Sequence, residues 1–197
     1  MTTATDLGRR SRWLLYATIG WNSVEAIIAV TAGIVAGSVA LTGFGFDSLI
    51  EVFAASVVIW QLRGLSEERE RRALRLIGAS FFVLATYIVI ESARDLVSGQ
   101  QASESIVGMV LAAVSLAIMP GLAYAKGRVA HRSGSTTLAV ESRQTMLCAY
   151  LSAVLLAGLL ADSLVGWWWA DPLAALVIAG LAIREGREAW AGEACCD

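Results

Sequence analysis

Histidine occurs once in the 197 residues, as His131, and cysteine three times, as Cys148, Cys195 and Cys196; charged residues make up only 16%. Each scarcity removes a class of function. Three cysteines cannot build the framework of a disulfide-stapled secreted domain. Fifteen Lys and Arg stand against 17 Asp and Glu, for a net charge of −2, and no basic cluster suggests nucleic acid. No long apolar segment contains a histidine base, and neither Gly-x-Ser-x-Gly nor His-Glu-x-x-His occurs. An intramembrane enzyme is therefore the weakest reading, and the chain is expected not to be one. The start, Met1-Thr2-Thr3-Ala4-Thr5-Asp6, lacks the basic run and small-residue cleavage site of a signal peptide, so the first apolar segment is expected to stay.

What is present is apolar: 57% hydrophobic residues, gathered in long blocks. Six spans of about 20 residues fit, at about 13–35, 39–61, 76–96, 105–124, 137–161 and 172–190. Basic residues sort between the connections. Arg9, Arg10 and Arg12 precede span one; Arg63, Arg69, Arg71, Arg72 and Arg75 follow span two; Lys126, Arg128 and Arg132 follow span four; Arg184 and Arg187 close span six. The remaining connections hold only Arg94, so both termini are expected in the cytoplasm. The expected architecture is an all-α membrane protein, a bundle of six transmembrane helices at 13–190 flanked by cytoplasmic ends at 1–12 and 191–197. Pro120-Gly121 predicts a kink or end of span four, and Asp171-Pro172 predicts the start of span six with the acid as its N-cap. Trp167-Trp168-Trp169 reads as an outer aromatic belt, and Ser66 to Arg72 as a solvated mixed-charge loop.

Within span two, Asp47 and Glu51 lie four residues apart. That spacing puts both carboxylates on one helix face, and an acid in mid-membrane costs about 2.5–3.5 kcal/mol, so a task is expected of the pair. A structural ion pair, with Arg143 for instance, is the plainer alternative. Span five carries an echo. Gly37-Ser38-x-x-Leu41 with Asp47 and Glu51 recurs, 97 positions on, as Gly134-Ser135-x-x-Leu138 with Gln144 and Cys148. Spans two and five enter from opposite sides, as in an inverted-repeat transporter with its site near midplane. Packed together they offer three oxygens and a sulfur, a set suited to a divalent transition ion, and small residues (Gly43, Gly45, Ala54, Ala55; Ala149, Ser152, Ala153) would let them approach.

These residues carry a family resemblance. Ala36-Gly37-Ser38-Val39-Ala40-Leu41, Asp47-Ser48-Leu49-Ile50-Glu51, Ser135-x-x-Leu138-x-Val140-Glu141-x-x-Gln144-x-x-x-Cys148 and Ala170-Asp171-Pro172-Leu173-Ala174-Ala175-Leu176 together resemble the cation diffusion facilitator (cation efflux) superfamily. The resemblance implies a cation efflux transmembrane fold in a bacterial-type plasma membrane and proton-coupled efflux of zinc or a related ion. The divalent ion would be substrate, with no permanent cofactor; the partners are lipid, the cation, protons and a second copy docked through the membrane helices. It places metal ligands at Asp47, Glu51, Gln144 and Cys148. Family members have His or Asp where Gln144 stands and Asp where Glu51 and Cys148 stand. Members commonly carry a cytoplasmic metal-sensing domain after span six, and seven residues follow Trp190 here. A non-transporting metal sensor or scaffold of the same fold is the alternative.

The remaining polar residues divide between roles. Asn22 and Glu25 are expected to face the bundle, lining a pathway or tying span one to its neighbours. Glu141 and Arg143 serve as an entry gate or snorkel to the cytoplasmic surface. Cys148 is a ligand or a small buried hydrophobe, and Gln144 a ligand or an interhelical hydrogen-bonding amide. His131 is expected in solvent, and Cys195 and Cys196 as exposed thiols or a metal contact.

Overall fold

Two glycine–serine pairs set the topology. Gly37 adopts φ +67°, a left-handed conformation that ends helix α1 (Ala4–Ala36), and the Ser38 amide donates back to the Gly33 carbonyl at 2.9 Å. The Ser38 hydroxyl then accepts from the Leu41 amide at 3.0 Å, opening α2 (Val39–Gln61). The second pair repeats the device. Gly134 has φ +65° after α4 (Ile106–Ser133), Ser135 donates to the Ala130 carbonyl at 3.3 Å, and its hydroxyl accepts from Leu138 at the start of α5 (Thr136–Val165). Leu41 and Leu138 are both buried. The first part of the sequence echo is thus a helix stop–start signal with a leucine sent into the core.

The computed structural model describes residues 4–61, 67–99 and 102–191; Cys195, Cys196, Arg63 and Ser66 lie outside them. The described residues form six helices, completed by α3 (Glu67–Ser98) and α6 (Ala170–Ala191). α1 packs on α2 as α4 packs on α5, and α2 meets α3 as α5 meets α6. The equivalent helices also touch in pairs: α1 with α4, α2 with α5, α3 with α6. These pairings relate the first three helices to the last three, as an inverted repeat would, although α2 also packs on α6 without an equally close α3–α5 counterpart. Five helices are long and apolar enough to cross a membrane. The sixth, 22 residues long, carries Arg184, Glu185, Arg187 and Glu188 in its last third. Large apolar side chains such as Ile27, Val83 and Leu164 face outward, as expected where the surrounding solvent is lipid. The chain is an integral, multi-pass membrane protein.

Several helices outrun the expected spans. α1 begins at Ala4, within the expected 1–12 tail, and α3 begins at Glu67, so the mixed-charge loop is largely its first turns. Glu68 and Arg72 pair there in the open. Charged residues do not end a helix once it leaves hydrocarbon; they end only the lipid-compatible part. Pro120 does not end α4, which continues to Ser133. In a membrane bundle, neighbouring helices and local adjustments tolerate the missing donor. Trp167 and Trp169 stack at 5.1 Å in the exposed α5–α6 turn.

Asp171 is a second correction. α6 opens at Ala170, so Asp171 lies in its first turn, and its carboxylate serves a different helix. It accepts from the Ser38 hydroxyl at 2.5 Å and from the Ala40 amide at 3.3 Å, neutralising the N-terminus of α2. Replacing Ser38 by alanine removes a cap and strips a buried carboxylate of one of its donors, leaving the Ala40 amide. Ser38→Ala is therefore expected to cost about 2 kcal/mol, against about 1 for Ser135→Ala, in a denaturant unfolding titration of the purified protein.

The small residues of α2 also act differently from expectation. Gly45 is packed against Val30 and Ala29 of α1, and Gly43 against Ile88 of α3, so these glycines admit α1 and α3, not α5. Ala54, Ala55, Ala149 and Ser152 are buried in the bundle. α3 and α6 make their own close crossing, where a Cβ on Gly78 would stand 2.9 Å from the Gly186 carbonyl oxygen.

Candidate cation site

The polar residues of the spans gather on the inner faces of α1, α2, α4 and α5. Along α1, Thr18, Asn22, Glu25, Ala29 and Ala36 follow a helical repeat and are all buried, which turns Asn22 and Glu25 inward as their spacing predicts. Asn22 donates to the Thr18 carbonyl at 3.1 Å, and its own side-chain oxygen has no hydrogen-bond partner. Glu25 accepts from Ser48 of α2 at 3.1 Å and from Ser115 of α4, and so ties three helices together.

Asp47 and Glu51 stand eight and twelve residues after the first residue of α2, and Gln144 and Cys148 eight and twelve after the first of α5. At 1.5 Å per residue that is about 12 and 18 Å along each helix. Because α2 and α5 run in opposite directions, the pairs arrive at overlapping depth. All four residues are buried. The Cys148 thiol faces the acids of the neighbouring helices, Glu51 foremost, with Glu25 and Asp47 near enough for their charges to act on it. Thr145, one residue beyond Gln144, donates its hydroxyl to Glu51 Oε1. Glu51 Oε2 is buried and makes no hydrogen bond, and the Gln144 amide nitrogen is likewise unpartnered. A carboxylate oxygen held in a dry interior without a donor is suited to a cation.

The geometry stops short of the expected four-ligand point. Among the described residues, no three His, Cys, Asp or Glu side chains stand at metal-holding spacing. Side-chain movement is therefore needed to close Asp47, Glu51 and Cys148 on one ion.

Sequence reasoning missed the residue that lies closest to Glu51 in charge. Lys126, expected in a cytoplasmic connection, is a fully buried side chain of α4. Its ammonium stands 2.8 Å from Glu141 Oε1 and 3.8 Å from Glu51 Oε1, and donates to Thr145 Oγ1 at 2.6 Å. Glu141 therefore does not snorkel; it is buried as one half of an ion pair. Arg143, named in the alternative as an ion-pair partner for the α2 acids, is exposed. The signal for Lys126 lies in the spacing Met119, Ala123, Lys126, Ala130, a buried helical stripe that continues past Pro120. His131 is exposed on the last turn of α4, as expected.

Known proteins bear on this arrangement. Residues 75–190, from α3 through α6, match the family described as the cation efflux transmembrane domain. An uncharacterised transporter of Synechocystis is 25% identical over 174 residues, covering 82% of this chain and 56% of that protein. The magnetosome protein MamB of Magnetospira is 24% identical over 202 residues, covering 95% of this chain and 67% of that protein. Transmembrane protein 163 of Xenopus laevis is 25% identical over 97 residues, 47% of this chain and 34% of that protein. The chain spans from a third to two thirds of the length of these relatives. With more than half of its residues matched, the chain belongs to the cation efflux transmembrane-domain family.

Proposed function

We propose that the chain carries a divalent metal cation, zinc or a related transition ion, out of the cytoplasm across a plasma membrane in exchange for protons. One observation carries the reading: two carboxylates of α2 and the thiol of Cys148 on α5 are buried together at mid-depth of oppositely directed helices. Burying acids there is costly unless a cation repays it. Asp47, Glu51 and Cys148 are the ligands in this reading, Gln144 the fourth donor, and Asn22, Glu25 and Glu141 line the route. Carboxylates and a thiol that release the ion can take up protons in its place, which supplies the coupling. The naming of the Synechocystis relative as a transporter points the same way.

The test is flux into proteoliposomes of the purified chain, run separately with zinc, cobalt, cadmium, iron(II) and manganese under an imposed pH gradient. Gradient-dependent movement of at least one ion is expected. If none moves, the transport reading fails. A second reading, a non-transporting metal sensor or scaffold, draws on the absence of three ready ligands among the described residues and on the internal cation beside Glu51. Calorimetric metal binding without flux would favour it.

A further inference from the structure

Lys126 is the one buried basic side chain among the described residues, and it stands between two buried acids. Its hydrogen-bonded partners are Glu141 Oε1 at 2.8 Å and Thr145 Oγ1 at 2.6 Å, whereas Glu51 Oε1, at 3.8 Å, is beyond hydrogen-bond reach. The ammonium thus neutralises Glu51 through space and is anchored elsewhere. Thr145 has one hydroxyl hydrogen and two acceptors in range, Glu51 Oε1 and the Glu141 backbone carbonyl at 3.1 Å. Glu51 can swing away without stranding a donor: the Thr145 hydroxyl turns back to its own helix, and Lys126 keeps Glu141.

We propose that Lys126 is a built-in counter-cation, which balances Glu51 in the cation-free protein and yields it, retiring onto Glu141, when a divalent ion binds between Asp47, Glu51 and Cys148. The proposal rests on the cation site described under Proposed function. It makes Lys126 a determinant of selectivity. A monovalent ion offers Glu51 no more charge than the ammonium it must displace, and it must also shed water. A divalent ion brings the extra charge that makes the exchange favourable. Glu141, on this view, is the parking carboxylate that keeps Lys126 from being left as an unpaired charge.

The experiment is calorimetric titration of the full chain in lipid nanodiscs with Zn²⁺, Co²⁺ and Mn²⁺. Because Lys126→Met leaves two acids unbalanced, the charge-balanced variant Lys126→Met/Glu141→Gln is measured beside it, with Lys126→Arg as the charge-retaining variant. Removal of the internal cation is expected to tighten divalent binding by at least about tenfold, and Lys126→Arg to stay within about threefold of the parent. Equal affinity in the parent and the charge-balanced variant, with Asp47→Asn abolishing binding in both, overturns the counter-cation and leaves the site standing. Binding that survives Asp47→Asn, or is missing from every protein, overturns the site itself. A metal-free arm then decides the pairing alone, through thermal unfolding of Lys126→Met, Glu51→Gln and the double variant. The double is expected to be more stable than the two single losses predict, and additive losses would show that Lys126 and Glu51 do not interact.

Discussion

Asp47→Asn and Glu51→Gln are each expected to reduce divalent-cation binding and flux by about a hundredfold or more, with the protein still folded, if the proposed cation site is the transport site. Both replacements keep side-chain shape. Glu51→Gln retains an oxygen able to accept from Thr145, so what it loses is the negative charge beside Cys148. Removing one charged partner from a buried pairing typically costs about 2–5 kcal/mol, and a hundredfold corresponds to about 2.8 kcal/mol. Cys148→Ser refines the test, since it exchanges the soft donor for a hard one. Cadmium and zinc should lose more affinity than manganese, narrowing the gap between them. Monodisperse elution of every variant separates ligand loss from misfolding. Undiminished flux in both Asp47→Asn and Glu51→Gln would remove these carboxylates from the transport path.

Gly33→Ala is the severest small substitution to be expected in the bundle. A Cβ at Gly33 would lie 2.4 Å from Thr42 Oγ1 and 2.6 Å from the Thr42 backbone nitrogen. The side-chain atom can rotate away, but the backbone atom belongs to α2 and moves only if the two helices part. Overpacking usually costs about 1–3 kcal/mol, and a collision with backbone belongs at or above the top of that range. Gly45→Ala meets Val30 backbone at 2.8 Å and should behave alike, whereas Gly20→Ala and Gly180→Ala meet nothing within 4 Å. Unfolding titrations should therefore show about 3 kcal/mol or more lost at positions 33 and 45, with nothing comparable at 20 and 180. Equal stability across all four would mean that α1 and α2 do not approach as closely as the structure shows. The site depends on this contact, because α1 brings Glu25 onto Ser48, one residue from Asp47.

Much of this protein was legible along the chain because the bilayer makes a one-dimensional demand. A segment either carries enough apolar residues to cross or it does not, so the helices and the inward turn of Asn22, Glu25, Asp47 and Glu51 follow from composition and a 3.6-residue repeat. The echo of Gly37-Ser38 in Gly134-Ser135 was legible as a repeat, but its role as a helix stop and start came from the structure. What only the tertiary structure decided is who stands opposite whom. Periodicity tells which face of a helix is polar, but the partner across the gap is set by helix order, axial offset and crossing, which join residues far apart in the chain. Lys126 meets Glu141 and Glu51 instead of solvent, Asp171 caps α2 instead of α6, and Gly43 and Gly45 seat α3 and α1 instead of α5. In each case the residue type was plain to read, and its electrostatic or steric counterpart came from another helix.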